Sequence, residues 1–149
     1  MPKGFAMSKS LDIIFIFSAI VFNVSVSVLY IATKLDNVLL LRVCSAVVLF
    51  LIIPFTFTLL GYVKEKAEKK IIISHLVILF YLFLELLLDY ILIIPFREML
   101  AIHVPYIIVF YAADFCMIGI SFNRNRKMGF VVTLTFWILI GCLVYLYLG

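Results

Sequence analysis

Charge is scarce in this chain. Lys, Arg, Asp and Glu make up 13% of its 149 residues, about half the share of a soluble globular domain. With 67% hydrophobic residues and a mean hydropathy of +1.31, water is excluded as the main solvent. Only the first ten residues are polar enough for disorder, and the length leaves no room for a separate soluble catalytic module. Cysteine is sparse and scattered. Cys44, Cys116 and Cys142 lie in different apolar runs, with no CxxC pair. That argues against a thiol–disulfide relay or a zinc knuckle and for packing roles. Histidine is rarer still. His75 and His103 fall near opposite membrane surfaces, the inner and the outer, so they do not share one haem or zinc. No P-loop, GxSxG or HExxH pattern occurs, and no nucleophile has an evident adjacent base. Catalysis is therefore the weaker expectation, and no cofactor is expected.

What remains is apolar length. Runs near 11–33, 38–63, 71–95, 100–122 and 128–148 are each long enough for a hydrocarbon core of about 30 Å. Backbone groups in lipid must be satisfied within the segment, so these runs predict helices. The expected fold is an all-α transmembrane bundle of about five spans, with a cytoplasmic tail over 1–10 and a single transmembrane domain over 11–149. Lys3 and Lys9 resemble the start of a signal peptide, but no small-x-small cleavage site follows, so the first run reads as a retained helix.

The basic residues set an orientation. Lys3, Lys9, Lys64, Lys66, Lys69, Lys70, Arg124, Arg126 and Lys127 fall on one side, and Lys34, Arg42 and Arg97 on the other. This bias places the N-terminus in the cytoplasm and the C-terminus outside, in the cytoplasmic membrane. Tyr30, Tyr90, Tyr106, Tyr145 and Tyr147 then collect near the outer interface. A bias this strong opposes dual topology, so a homo-oligomer would be parallel. The basic run Lys64–Lys70 reads as a solvated turn or a weak lipid-headgroup contact. The pI of 9.0 comes from such anchors and does not imply nucleic-acid binding.

Prolines punctuate the runs. Pro54 predicts a kink, and Pro95 should end the third helix. Pro105 either opens the fourth helix, leaving 96–104 as an interfacial turn, or kinks a longer one.

Acidic residues inside the runs are the sharpest feature. Glu85 and Asp89 lie in the third and Asp114 in the fourth. A central acid costs about 2.5–3.5 kcal/mol to insert, and each Leu, Ile, Phe or Val returns about 0.3–0.6 kcal/mol. Eighteen such residues between Ile71 and Ile94 carry the third run, while eleven between Leu100 and Phe122 leave the fourth marginal. Packing must complete that one.

Helical periodicity gathers the polar residues into stripes. Asp12, Asn23, Ser27 and Tyr30 share a face of the first helix, and Arg42, Ser45 and Thr56 a face of the second. Glu85 and Asp89, with His75 nearby, line the third; His103, Asp114 and Ser121 line the fourth. The fifth has only Thr133, Thr135 and Trp137 and is expected to be peripheral. Asn23, Glu85 and Asp114 fall near their span centres, where no basic residue matches their depth. They are candidates for binding a proton or cation. Asp89 is expected to pair with Arg42, with Arg97 as rival, as a structural or gating pair. Tyr81, four residues before Glu85, and Tyr111, three before Asp114, are placed to bond those carboxylates. Arg97, Glu98 and His103 form an outer polar cluster. A metal held by Glu85, Asp89, Asp114 and His103 is conceivable but poor in nitrogen and sulfur ligands.

The stretch Asp89-Tyr90, Ile94-Pro95-Phe96-Arg97, Val104-Pro105-Tyr106 and Tyr111-Ala112 resembles small uncharacterised multi-pass membrane proteins of bacteria and archaea. The resemblance covers about 25 residues and implies no activity, only a complete, independently encoded protein. The five-span length is also similar to half-units of drug/metabolite-type transporters, but six Gly and four Pro are too few for that group. Three readings follow. One is a proton- or cation-coupled transport or binding protein working through Glu85 and Asp114. Another is a non-catalytic subunit or scaffold for a larger membrane partner. The third is an enzyme or lipid carrier using the outer cluster.

Overall fold

The structure, a computed structural model, describes the backbone of residues 2–91 and 100–148, with side chains from Ser10 onward except at 89, 90, 100 and 147. Of the described residues 93% are helical and none is in a strand. The helices are α1 (Pro2–Lys34), α2 (Val38–Phe50), α3 (Ile52–Lys64), α4 (Lys69–Leu86), α5 (Leu100–Arg124) and α6 (Arg126–Leu148). The helical region thus begins at Pro2, within the stretch expected as a tail.

Among the described residues four segments are long and apolar enough to cross a membrane: Ser10–Lys34, Val38–Lys64, Ala101–Arg124 and Arg126–Leu146. The fifth rod is α4 with a π-helical turn, Leu87–Ile91.

Helix α1 is the centre post, packed against α2, α3, α5 and α6, while α4 closes against α3 and α5. Its buried residues Leu11, Phe15, Ala19, Phe22 and Val26 recur every three or four positions. Ala19 on α1 and Ala113 on α5 are wholly buried, the small residues that let helix backbones approach closely. Ile13, Phe17, Phe57, Phe80, Phe115 and Trp137 point outward instead, as a lipid-facing surface would.

The break at Leu51 is the consequence of Pro54. Proline has no N–H to give the carbonyl of Phe50, and its ring crowds that carbonyl. The Leu51 N–H is shared between the carbonyls of Val47 and Val48, both at 3.2 Å. Pro105, in contrast, lies inside α5, so residues 100–104 are helical and not an interfacial turn; 96–99 lie outside the described residues.

Two turns repeat one motif. After α1 the Asn37 N–H bonds the Ala32 carbonyl (2.9 Å) and Asp36 has φ 54°. After α3 the Ala67 N–H bonds the Tyr62 carbonyl (3.0 Å) and Lys66 has φ 56°. Both are Schellman caps built without the customary glycine. Asn37 also caps α2, its side chain accepting from the Leu40 N–H at 3.1 Å. Between α5 and α6 only Asn125 intervenes.

Candidate functional site

Polar side chains are stacked along the bundle in four groups. At the end holding the α3–α4 turn, the Arg124 guanidinium from α5 donates to Asp12 on α1 (Nε to Oδ1, 2.8 Å) and to Glu65 (Nη2 to Oε1, 3.1 Å). The Tyr62 hydroxyl donates to the same Asp12 oxygen at 2.6 Å, and Arg124 lies 5.0 Å from the Tyr62 ring centre. Four segments are tied here. The sequence marked Arg124 only as a topology anchor.

One turn deeper, His75 of α4 is wholly buried between the rings of Phe15 and Tyr62. Its Nδ1 faces the Ile71 carbonyl and its Nε2 the Thr58 hydroxyl, each at 3.1 Å. With the proton on Nδ1, Thr58 donates to Nε2 and both ring nitrogens are satisfied. Removing the Thr58 hydroxyl strands a buried acceptor. The Thr58→Val variant should lose about 1–3 kcal/mol of apparent stability in detergent melts, and pairing it with His75→Phe should recover most of that. A single variant that melts like wild type would show that the pair does not hold α3 to α4.

At mid-bundle three fully or largely buried residues meet: Asn23 of α1, Asp114 of α5 and Thr135 of α6. With its nitrogen toward Asp114, the Asn23 amide donates to Oδ1 (2.9 Å) and Oδ2 (3.1 Å) and accepts from the Thr135 hydroxyl (2.9 Å). The opposite orientation lets it donate to Thr135 Oγ1 (2.9 Å) and the Val132 carbonyl (3.4 Å). Asn23 and Asp114, matched in depth by sequence, are thus direct neighbours. Thr135 was missed because α6 was expected to be peripheral. It is not: α6 packs along α1 and α5, with Val132, Phe136 and Leu139 buried.

Towards the other end a cavity of about 830 Å³ opens among α1, α2, α4, α5 and α6. It is of a size that holds a drug-sized ligand. Leucine, valine, isoleucine and phenylalanine supply much of its wall, with Glu85, His103, Ser45, Thr33 and the tyrosines 30, 81, 106 and 111 as polar points. Glu85 Oε2 accepts from the hydroxyls of Tyr81 (3.2 Å) and Tyr106. The two hydroxyls are 3.0 Å apart. The i, i+4 bond from Tyr81 is the one the spacing predicted; Tyr106, on another helix, carried no such signal. His103 stacks on the Tyr106 ring, with centroids 6.3 Å apart. The π-helical turn starts two residues after Glu85, a distortion often found at functional sites.

The other expected groups fare unequally. Arg42 is exposed, while the Asp89 side chain and all of Arg97 and Glu98 lie outside the described residues, as does Pro95. Cys44 is buried, Cys116 and Cys142 are partly so, and all three are free thiols. Among the described residues no three His, Cys, Asp or Glu side chains converge as a metal site. At the same end as the cavity, Lys34 of α1 donates to the Tyr145 carbonyl of α6 and lies 4.1 Å from its ring centre. This tie fixes α1 and α6 as parallel neighbours. No family model, curated protein or solved structure matches the chain.

Proposed function

We propose that this chain is a small integral membrane protein of the cytoplasmic membrane, crossing it five times with the N-terminus inside, and that it binds or carries a small solute coupled to protons or cations. The cavity around Glu85 carries this reading. A carboxylate held by two tyrosine hydroxyls, on the wall of a largely apolar chamber, suits a small, mostly apolar molecule presenting a donor or positive group. Glu85 would be the binding carboxylate, and Asp114, one layer deeper, the coupling one. Intramembrane acids are costly and commonly mark ion or proton pathways. The aromatic walls supply contact area and the few polar points supply orientation.

Thermal unfolding of the detergent-purified protein tests this, run from about pH 5 to about pH 9 with a panel of cations, beside Glu85→Gln and Asp114→Asn. Expected is a pH- or cation-dependent shift in the wild type that one or both variants lose. Three identical responses would overturn the reading and favour a scaffold that co-purifies with a larger partner.

A further inference from the structure

We propose that Asn23, Thr135 and Asp114 form a two-state proton site in which the Asn23 amide turns over when Asp114 gains or loses its proton. This deepens the reading of Asp114 as the coupling carboxylate, and rests on it, by naming the proton as what it binds.

The heavy-atom positions fit two complete hydrogen-bond patterns. In the first, Asp114 is ionised. The Asn23 NH₂ donates to both carboxylate oxygens, at 2.9 and 3.1 Å, and the Thr135 hydroxyl donates to the Asn23 carbonyl at 2.9 Å. In the second, the amide is reversed. Its NH₂ donates to Thr135 Oγ1 at 2.9 Å and to the Val132 carbonyl at 3.4 Å. Thr135 now gives its proton to Val132 O, at 2.6 Å. The Asn23 carbonyl then faces a carboxyl oxygen across a hydrogen-bond distance. Two acceptors in that position repel unless a proton lies between them, and a neutral Asp114 supplies it.

Each pattern uses Thr135's single hydroxyl proton once, and neither leaves Asn23 or Asp114 without a partner. The states differ by one proton, one amide reversal and one hydroxyl rotation. A buried polar group without partners is costly, and this trio avoids that cost with the carboxyl either charged or neutral. The α1–α6 bond persists in both, with donor and acceptor exchanged. Separations of 2.9–3.1 Å suit a shared proton. A calcium ion in line between the two groups, at about 2.3–2.6 Å from each oxygen, would force them apart.

The surroundings leave Asp114 as the titrating group of this layer. The ionisable residues of α1 and α6 lie towards their ends, and the groups these helices turn to Asp114 are Asn23 and Thr135. On α4 the titratable residues that touch α5 are Tyr81, whose ring packs 5.3 Å from Phe110, and Glu85 bonded to it. On α5 itself Tyr111 lies one turn before Asp114 and the Cys116 thiol two residues after it, each half-buried.

Infrared difference spectroscopy of the purified protein, stepped between about pH 5 and about pH 9, tests the switch, with isotope-labelled asparagine marking the amide carbonyls. Expected is a protonated-carboxyl band that grows as pH falls and is lost in Asp114→Asn. An asparagine amide band should shift with the same midpoint and be lost in Asn23→Leu. Thr135→Val, close in shape to the parent, should retain the carboxyl band but change the amide shift. A carboxyl band that stays constant, or an amide band that does not move with it, overturns the proposal. Should both bands move together while vesicles carrying the protein show no proton- or cation-coupled flux, the switch stands and the transport reading falls.

Discussion

Replacing Arg124 by Met should lower the apparent stability of the bundle by about 3 kcal/mol, although the chain keeps eleven of its twelve basic residues. Breaking a buried ion pair from one side costs about 3–5 kcal/mol because the partner charge is left uncompensated. The Arg124 and Asp12 side chains are only 20% and 17% exposed, and Glu65 19%, so solvent screens them weakly; the lower end of the range allows for their place at the bundle end. Arg124→Met leaves Asp12 with the Tyr62 hydroxyl and takes the guanidinium bond from Glu65. Arg124→Lys should recover less than half of the loss, since one ammonium cannot reproduce the planar fork that reaches both carboxylates. Adding Asp12→Asn to Arg124→Met should restore part of it. Thermal melts of wild type, Arg124→Met, Asp12→Asn and the double variant make a double-mutant cycle, with Arg124→Lys beside them. A loss below about 0.5 kcal/mol in Arg124→Met would put this cluster among ordinary surface pairs.

The sequence made the helices legible because insertion into lipid leaves one solution for a long apolar run. Depth and period also sufficed for Asn23 with Asp114 and for Tyr81 with Glu85, since both rest on 1.5 Å per residue and 100° per residue. The failures share a physical cause. The stripe Arg42, Ser45, Thr56 carried one helical phase past the kink expected at Pro54, but the break at Leu51 changes the phase beyond it. The buried hydroxyl is therefore Thr58, and Thr56 is only half-buried. Thr135 was discounted because a helix with few polar residues looks peripheral by composition. One threonine opposite a buried amide is enough to seat it. Arg124 and Glu65 lie at helix ends, where charge is normally solvated, and only the fold brings them onto Asp12.

The α5–α6 corner gives a prediction whose sign depends on position. An exposed helical glycine replaced by alanine normally gains stability, up to about 1 kcal/mol. Gly119 and Gly141 have open space where a Cβ would go, so Gly119→Ala and Gly141→Ala should each stabilise slightly. Gly129 is different. A Cβ there would lie 2.6 Å from Phe122 Cγ and 2.8 Å from Phe122 Cα. The second atom is backbone and does not swing aside. With Asn125 alone linking the helices, α5 and α6 have little slack to separate at this end. Gly129→Ala should therefore cost about 1–3 kcal/mol and Gly129→Val more, as overpacking does. The strain would also reach Thr135, which α6 holds against Asn23 and Asp114. Melting temperatures of the three alanine variants, measured side by side in one detergent, decide it. Opposite signs place the contact at the root of the α5–α6 pair. If Gly129→Ala behaves like the other two, the corner yields, and Thr135 is held in register by the length of α6 lying along α1 and not by its first turn.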